Sequence, residues 1–367
     1  MNVGVIGAGI ISDIYLRNMI EMFSNLDVVA VAAKHLDHAE KCARKFGIRA
    51  CTVEALLDSP DIEMVVNLTP VGAHYDLIRQ ALLAGKHVYT EKTLAQDMQQ
   101  AQQLLALADE KKLYLGSAPD TFLGSALQTA RQAIDQGLLG EVNSFAVSVH
   151  RNNTFLISHY PFLQAPGAGV LLDFCVYYVT ALVSLFGPMA QAGGIISAPY
   201  KTHGCILPGP NYGKPLPSPN ESQVSAVLQT RSGVTGTFHI DSESNTRGDP
   251  FFMIYGTKGM LRLPDPDYFG GEVLFYPNSL TQEQAPVSLP ANTPLSGNCR
   301  GVGPAEMAQA IAQGRPNRAS KEMALHVLEV LTALLKTGQN GGFFPMCTEC
   351  RQPAPFTAAD SAGILRS

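Results

Sequence analysis

Three groups of residues in this chain carry chemistry by their type and spacing. The first is Gly7-Ala8-Gly9-Ile10-Ile11-Ser12, a G-x-G-x-x-S turn between the apolar run Met1-Asn2-Val3-Gly4-Val5-Ile6 and a helical stretch. That strand–turn–helix setting is the one in which such a turn binds a dinucleotide pyrophosphate. Gly7 permits the tight turn. Gly9 lets a phosphate approach the backbone at the positive end of the helix, beside Ile10 and Ile11. Ser12 is small enough for close helix–strand packing, and the alternative reading is a glycine turn that binds nothing. The second group is Glu91-Lys92, where an ammonium stands ready to donate a proton or, once its charge is disfavoured, to accept one. The third is Cys347-Thr348-Glu349-Cys350. A structural zinc takes four ligands, and no second cysteine pair or nearby histidine accompanies this one, so no metal is expected.

Positioning the first two groups takes a parallel sheet. Up to about residue 120, candidate strands (2–6, 27–32, 63–68, 86–90, 112–116) alternate with candidate helices (13–23, 37–47, 53–58, 74–84, 97–110), the pattern of a doubly wound α/β domain. In such a sheet the ligand lies at the carboxyl ends of the strands, so Thr69 and Pro70, and Glu91 with Lys92, point at the cofactor crevice. Pro70 and His74 also read as helix entry and packing. The second strand ends in Ala33-Lys34, without the acid that would bind the ribose diol of NAD. Lys34 could meet a 2′-phosphate, a modest lean to NADP, while Asp37 reads as the cap of the next helix.

After residue 120 the pattern changes. Helices are expected over 125–136, 170–186, 306–313 and 321–337, and strands over 144–150, 222–229, 234–240, 251–255, 260–263 and 272–275, with Gly256-Thr257-Lys258-Gly259 as a hairpin turn. Residues 199–219 hold six prolines and read as a long irregular loop. The tail after Gly341 shows no periodicity. The expected division is a dinucleotide-binding domain over 1–120 and a second α/β domain, with a large, mainly antiparallel open sheet, over 121–367.

Composition limits the partners. A net charge of −5 with 16 % charged residues and no Lys/Arg-rich run gives nucleic acid nothing to bind. The longest apolar runs are about six residues, far below the roughly 18 that span a bilayer. A first strand at residue 2 leaves no room for a secretory signal, and seven scattered cysteines suit reduced thiols, so a cytoplasmic enzyme is expected.

The chain resembles the Gfo/Idh/MocA oxidoreductases over nearly its whole length. The likeness rests on Gly7-Ala8-Gly9; on Glu91-Lys92-Thr93, where the family has E-K-P; on Gly167 to Tyr178, where it has a glycine turn and D-x-x-x-H; and on Tyr255-Gly256-Thr257-Lys258-Gly259. Residues 118–124 and 173–182 also resemble a bacterial branch with paired tyrosines. The resemblance implies a Rossmann domain joined to a sheet-bearing α/β domain, an NAD(P) cofactor, and a sugar or glycoside substrate. It also implies a homo-oligomer, dimer or tetramer, packed through the open sheets. Two departures matter. Thr93 replaces the proline, so a cis peptide there cannot be assumed. Tyr177 stands where the family has its histidine, and on an α-helix it shares a face with Asp173.

Catalysis is therefore expected from Lys92, Asp173 and Tyr177. Either Lys92 is the base and Tyr177 orients the hydroxyl, or Tyr177 is the base and Lys92 favours its anion. Asp173 would hold a neighbouring hydroxyl or Lys92, and Glu91 would support the loop. Asp120, Thr121, His150, Arg151, His159 and Tyr160 are candidate substrate contacts, whereas Tyr178 reads as a core aromatic. The function expected is oxidation of a ring hydroxyl, C3 of a glycoside being the best guess, with an aglycone against aromatic faces. The rivals are net glycoside cleavage by oxidation, elimination and hydride return, and a nucleotide-binding regulator without catalysis.

Overall fold

In the computed structural model, which describes residues 1–165, 167–244, 250–278 and 284–366, the amino-terminal apolar runs form a parallel sheet. Its elements are β1 (Asn2–Ile6), α1 (Ile10–Glu21), β2 (Asp27–Ala32), α2 (Leu36–Phe46), β3 (Arg49–Cys51), α3 (Val53–Asp58), β4 (Met64–Asn67), α4 (His74–Leu83), β5 (His87–Thr90), α5 (Met98–Lys111) and β6 (Leu115–Ser117). The strand order is β3-β2-β1-β4-β5-β6, every pairing parallel. Chain direction from the centre reverses between β1 and β4, the switch point at which such sheets bind ligands. Val3, Val5, Val31, Val65 and Val88 are buried, as strands covered on both faces require. Side-chain caps start two of the helices: Thr52 accepts from Ala55 N and Asp97 from Gln100 N. Strand β3 was not expected; three residues are too few to show alternation.

Helix α6 (Ser125–Asp135) leads to a second, mixed sheet. Its strands are β7 (Val142–His150), β8 (Met189–Ser197), β11 (Gln223–Thr230), β12 (Thr235–Asp241), β13 (Phe251–Gly256), β14 (Gly259–Leu263), β15 (Leu274–Pro277), β16 (Val287–Ser288) and β17 (Phe343–Pro345). Among the described residues the order is β16-β15-β14-β13-β7-β12-β11-β8-β17, antiparallel except for β12 with β7. Gly256 pairs with Gly259 across the expected hairpin. Helices α7 (Asn153–His159) and α8 (Val176–Phe186) accompany the sheet. Tyr178 of α8 lays its ring 6.3 Å from Phe238 of β12 and 5.8 Å from Phe252 of β13, which packs the helix on one sheet face.

Three expectations need correction here. The helix expected to begin at Val170 opens with a π-helical turn, Leu171–Cys175, before α8. The proline-rich stretch is not wholly irregular, because β9 (Thr202–Gly204) and β10 (Pro215–Pro217) pair within it. The carboxy-terminal tail is structured too, ending in α11 (Ala358–Ala362), after α9 (Val302–Gln313) and α10 (Lys321–Asn340).

The chain divides into two compact units: Met1–Gln128 with Asn292–Leu325 and Pro353–Ser367, and Thr129–Ala291 with His326–Gln352. Two stretches expected in the second domain thus pack with the first. Ser117 N donates to the carbonyl of Ala319, Ser24 N to that of Ile364, and buried Glu306 binds Arg315 and Arg318. Among the described residues no helix is long and apolar enough to cross a membrane.

Candidate active site

The nucleotide edge is built at the carboxyl ends of β1 and β2. Gly7 sits at φ +117°, and a Cβ there would lie 2.8 Å from the Leu68 carbonyl carbon, so both conformation and space demand glycine. Gly9 differs. A Cβ on it would meet nothing within 4 Å, so the protein's own packing does not explain the missing side chain, whereas an approaching pyrophosphate does. Gly9 is the N-cap of α1 and supplies no side-chain cap, which leaves helix N–H groups for an anion. Ser12 turns its hydroxyl back onto the Gly9 carbonyl at 2.6 Å. Ile10 is 94 % exposed at this edge, an apolar surface suited to cover by a bound nucleotide. These residues fit a dinucleotide. After β2, Ala33 is half-buried and Lys34 exposed. Asp37 lies in the first turn of α2, its side chain 78 % exposed and 3.9 Å from His38 Nε2.

The loops after β4 and β5 are tied to each other. Buried Asn67 donates to Thr90 Oγ1 at 3.0 Å and accepts from the Thr69 hydroxyl at 2.8 Å. His74 is fully buried, with Nδ1 2.7 Å from the Thr93 carbonyl and Nε2 2.8 Å from the Thr69 carbonyl. Burial holds its pKa below the ordinary imidazole value, although both carbonyls and Glu91 favour the cation. Glu91 accepts from the buried Tyr15 hydroxyl at 2.8 Å through Oε1 and from Lys92 N at 3.0 Å through Oε2. Lys92, half-buried, is thus carried on a loop held from α1, α4 and β4. The Lys92–Thr93 peptide is cis despite the missing proline, as is Ala118–Pro119.

Asp120 is buried beside this edge. Its Oδ2 accepts from Gly301 N at 3.1 Å and Gly303 N at 3.0 Å, at the start of α9. Burial raises its pKa to about 6 against the pull of those N–H groups and of the Arg300 charge. Thr121 is likewise buried, and its carbonyl accepts from Gly124 N.

In the second unit a cleft opens between α7, the π turn and the segment before β11. Its lining includes the apolar Leu156, Ile157, Leu163, Ala168 and Val170. Interleaved with them are the polar Arg151, Asn153, Asp173 and Ser218, and Asn220, Glu221, Ser222 and Ser242. The Arg151 guanidinium lies 3.8 Å from the centre of the Phe174 ring, a cation–π contact. Glu221 caps the helix that bears Asp173: its Oε1 accepts from Leu171 N at 3.1 Å and its carbonyl from Val170 N at 3.1 Å. A Cβ on Gly169 would fall 1.9 Å from Glu221 Oε1, so any side chain there would have to displace the capping carboxylate. Burial pushes the Glu221 carboxyl pKa up.

Of the other expected contacts, His150 ends β7 exposed, bonded to Ser244 Oγ at 3.0 Å and 3.6 Å from Asp241. His159 stacks on Phe155 and binds its carbonyl, and Tyr160 is exposed. None of the three lines the cleft, nor does Tyr177, whereas Arg151 and Asp173 do. The π turn alters the angular relation that an α-helix would give Asp173 and Tyr177. Tyr178 is a core residue, donating to Asp265 at 3.1 Å. Sequence reasoning missed Asn153, Ser218, Glu221, Ser222 and Ser242. Only Glu221, a carboxylate amid turn residues just before an alternating strand, carried any signal.

Residues 1–118 match the NAD-binding Rossmann domain of the Gfo/Idh/MocA oxidoreductase family, and residues 127–262 match that family's C-terminal domain. The chain is 29 % identical over 355 residues to dTDP-3,4-didehydro-2,6-dideoxy-alpha-D-glucose 3-reductase of Actinomadura kijaniata, covering 94 % of this chain and 97 % of that one. It is 28 % identical over 267 residues to trans-1,2-dihydrobenzene-1,2-diol dehydrogenase of Mus musculus, 71 % of this chain and 73 % of the other. A levoglucosan dehydrogenase solved with NADH shares the fold, with a TM-score of 0.82 at 17 % identity over 95 % of this chain and 99 % of that one.

Proposed function

The chain belongs to the Gfo/Idh/MocA family of oxidoreductases, and we propose that it is an NAD(P)-dependent dehydrogenase acting on a ring hydroxyl, at C3, of a sugar or glycoside. The observation that carries this reading is the fixed loop of Lys92, pinned by Tyr15 through Glu91 and by His74 at the carboxyl edge of a nucleotide-binding sheet. Support for the substrate class comes from the relative that spans nearly the whole chain and is named a 3-reductase of a deoxysugar.

In this reading Gly7, Gly9, Ile10 and Ile11 hold the pyrophosphate and Thr69, Pro70 and His74 shape the neighbouring wall. The nicotinamide nucleotide, when bound, supplies the hydride acceptor. Lys92 takes the hydroxyl proton as the base, Tyr177 orients the hydroxyl, and Asp173 accepts a hydrogen bond from its neighbour. NADP is preferred to NAD: the end of β2 offers exposed Lys34 for a 2′-phosphate and no carboxylate for a ribose diol. The protein works in the cytoplasm as a homo-oligomer, dimer or tetramer, paired through the open face of its large sheet. Exposed Ile195, Val227, Phe251 and Phe343 support that pairing.

One observation favours a second reading, net glycoside cleavage: the cleft holds two carboxyl groups, Asp173 and Glu221, as an elimination step with an acid and a base needs. Purified protein mixed with methyl glucoside and excess NAD or NADP tests both. Steady accumulation of reduced nucleotide supports the dehydrogenase. Free sugar without accumulation supports cleavage. Neither outcome, despite nucleotide binding, would leave only the non-catalytic regulator.

A further inference from the structure

Buried His74 faces two acceptors at once. Its Nδ1 lies 2.7 Å from the Thr93 carbonyl and its Nε2 2.8 Å from the Thr69 carbonyl. A carbonyl oxygen only accepts, so each contact needs an N–H from the ring. A neutral imidazole has one N–H and a lone pair on its other nitrogen; the imidazolium has two N–H groups. With a neutral ring, one contact sets lone pair against lone pair and leaves a carbonyl without its donor. Among the described residues neither carbonyl accepts from another group. The two carbonyls belong to different loops. Thr69 follows β4 and is held by its hydroxyl to Asn67 at 2.8 Å. Thr93 follows Lys92 on the β5 loop, and its hydroxyl donates to the Ala95 carbonyl at 2.9 Å. Strand pairing ends where Glu91 N meets the Asn67 carbonyl, and the ring bridges the loops beyond that point. From the β5 loop Glu91 favours a positive ring and Lys92 opposes it, while residues 68–73 of the β4 loop carry no charged side chain.

We propose that His74 is a positioning residue for the Lys92 loop, and that its second ring proton closes a clamp: the imidazolium ties the loops after β4 and β5 into one wall of the nucleotide crevice, and the neutral ring releases one of them. Burial sets the pH at which this happens. It holds the ring's pKa below the ordinary 6.5, so the clamp is closed in acid and opens as the pH rises, before neutrality. The charge acts on Lys92 as well. Repulsion is mutual, so a positive ring disfavours the Lys92 ammonium and favours the form that accepts a proton. Binding and protonation are linked in turn: a nucleotide that prefers the closed crevice strengthens the ring's hold on its proton by the same factor. The place of the nucleotide rests on the dehydrogenase reading; the clamp adds a proton to what governs that site.

Nitrogen-15 NMR of the imidazoles in the full chain reads the ring directly, with His74→Gln and His74→Asn each assigning it by the signals that vanish. His74 should carry two N–H groups at about pH 5.5 and one at about pH 8. A ring with an unchanged proton count across that range overturns the proposal. Calorimetric titration with NAD, whose phosphates stay fully ionised between these values, reads the consequence. The wild type should bind NAD at least about threefold tighter at the lower pH, and either variant should narrow that ratio to under about 1.5-fold. A wild-type affinity that does not change, or a ratio that the variants leave intact, overturns the proposal. Should neither variant fold, the wild type alone decides: titration at about pH 6 in two buffers of different ionisation enthalpy should show a fraction of a proton taken up per NAD. No uptake, or release, overturns the clamp. A chain that binds neither NAD nor NADP at any pH sinks the dehydrogenase reading, while the NMR spectra still decide the state of the ring.

Discussion

At the scale of single residues, the buried carboxyl of Asp120 makes stability depend on pH. Asp120 has a folded pKa of about 6 against an ordinary 3.8. A raised carboxyl pKa means that the folded chain holds a proton the unfolded chain has lost. The resulting cost, on the order of 3 kcal/mol, is present in full above about pH 6 and absent below about pH 4. Asp120→Asn keeps an oxygen for Gly301 N and Gly303 N but removes the charge. Its stability relative to the wild type, read from urea unfolding, should therefore be more favourable at pH 7 than at pH 4, and a flat difference would count against the burial argument. Tyr177→Phe divides the two base assignments. With Lys92 as base, kcat should fall by no more than about tenfold with its pH profile unmoved; a loss of a hundredfold or more makes the tyrosine the base.

At the scale of elements, the fold places functional groups through contacts that leave no periodic trace. Glu306, fully buried on α9, accepts from Arg315 Nη1 at 2.6 Å, from Arg318 Nη1 at 2.9 Å and from Arg318 N at 2.9 Å. Arg318 in turn donates to the carbonyls of Ala354 and Pro355 and to Asp360. The carboxy-terminal tail joins the first unit in part through these bonds and in part through fully buried Phe356 and Ile364, two apolar residues too far apart in sequence to read as a stripe. Glu306→Ala strands two arginines and should cost about 3–5 kcal/mol in chemical unfolding; a loss under about 1 kcal/mol would show that the tail docks without it. Strand β8 was hidden differently. Gly193 and Gly194 interrupt its run of side chains, and their missing Cβ atoms leave room for the Phe343 ring and the Ser225 carbonyl. The strands of the first sheet other than β3, by contrast, were legible as short apolar runs alternating with helices, and the glycine turn with its helix was legible from spacing alone. The π turn under Asp173 was not, since nothing in Leu171–Cys175 departs from helical composition. The polar lining of the cleft escaped notice because serines and asparagines near strand and helix ends look like ordinary turn residues.

At the scale of the whole molecule, the open sheet and the cofactor give separate tests. Ile195 of β8 pairs with Ser225, Ser225 with His239, and Phe251 with Ser148 beside it, a row of exposed apolar ends around small hydroxyls. Light scattering should report a dimer or tetramer, and Ile195→Glu should lower the mass; a wild-type monomer at micromolar concentration would rule out the sheet as an interface. For the cofactor, Lys34→Ala should raise the KM for NADP about tenfold and leave that for NAD within about twofold. Equal effects on both would remove Lys34 from phosphate recognition.

The most direct measurement joins these scales: reduction of NAD or NADP on adding methyl or phenyl glucoside, for the wild type and for Lys92→Ala, beside nucleotide affinity. The wild type should accumulate reduced nucleotide. Lys92→Ala should turn over at least about a hundredfold more slowly while binding nucleotide within about twofold. A variant that turns over within a few fold of the wild type would contradict the assignment of the base. A wild type that reduces neither nucleotide with any sugar, or releases free sugar without accumulating the reduced form, would contradict the dehydrogenase.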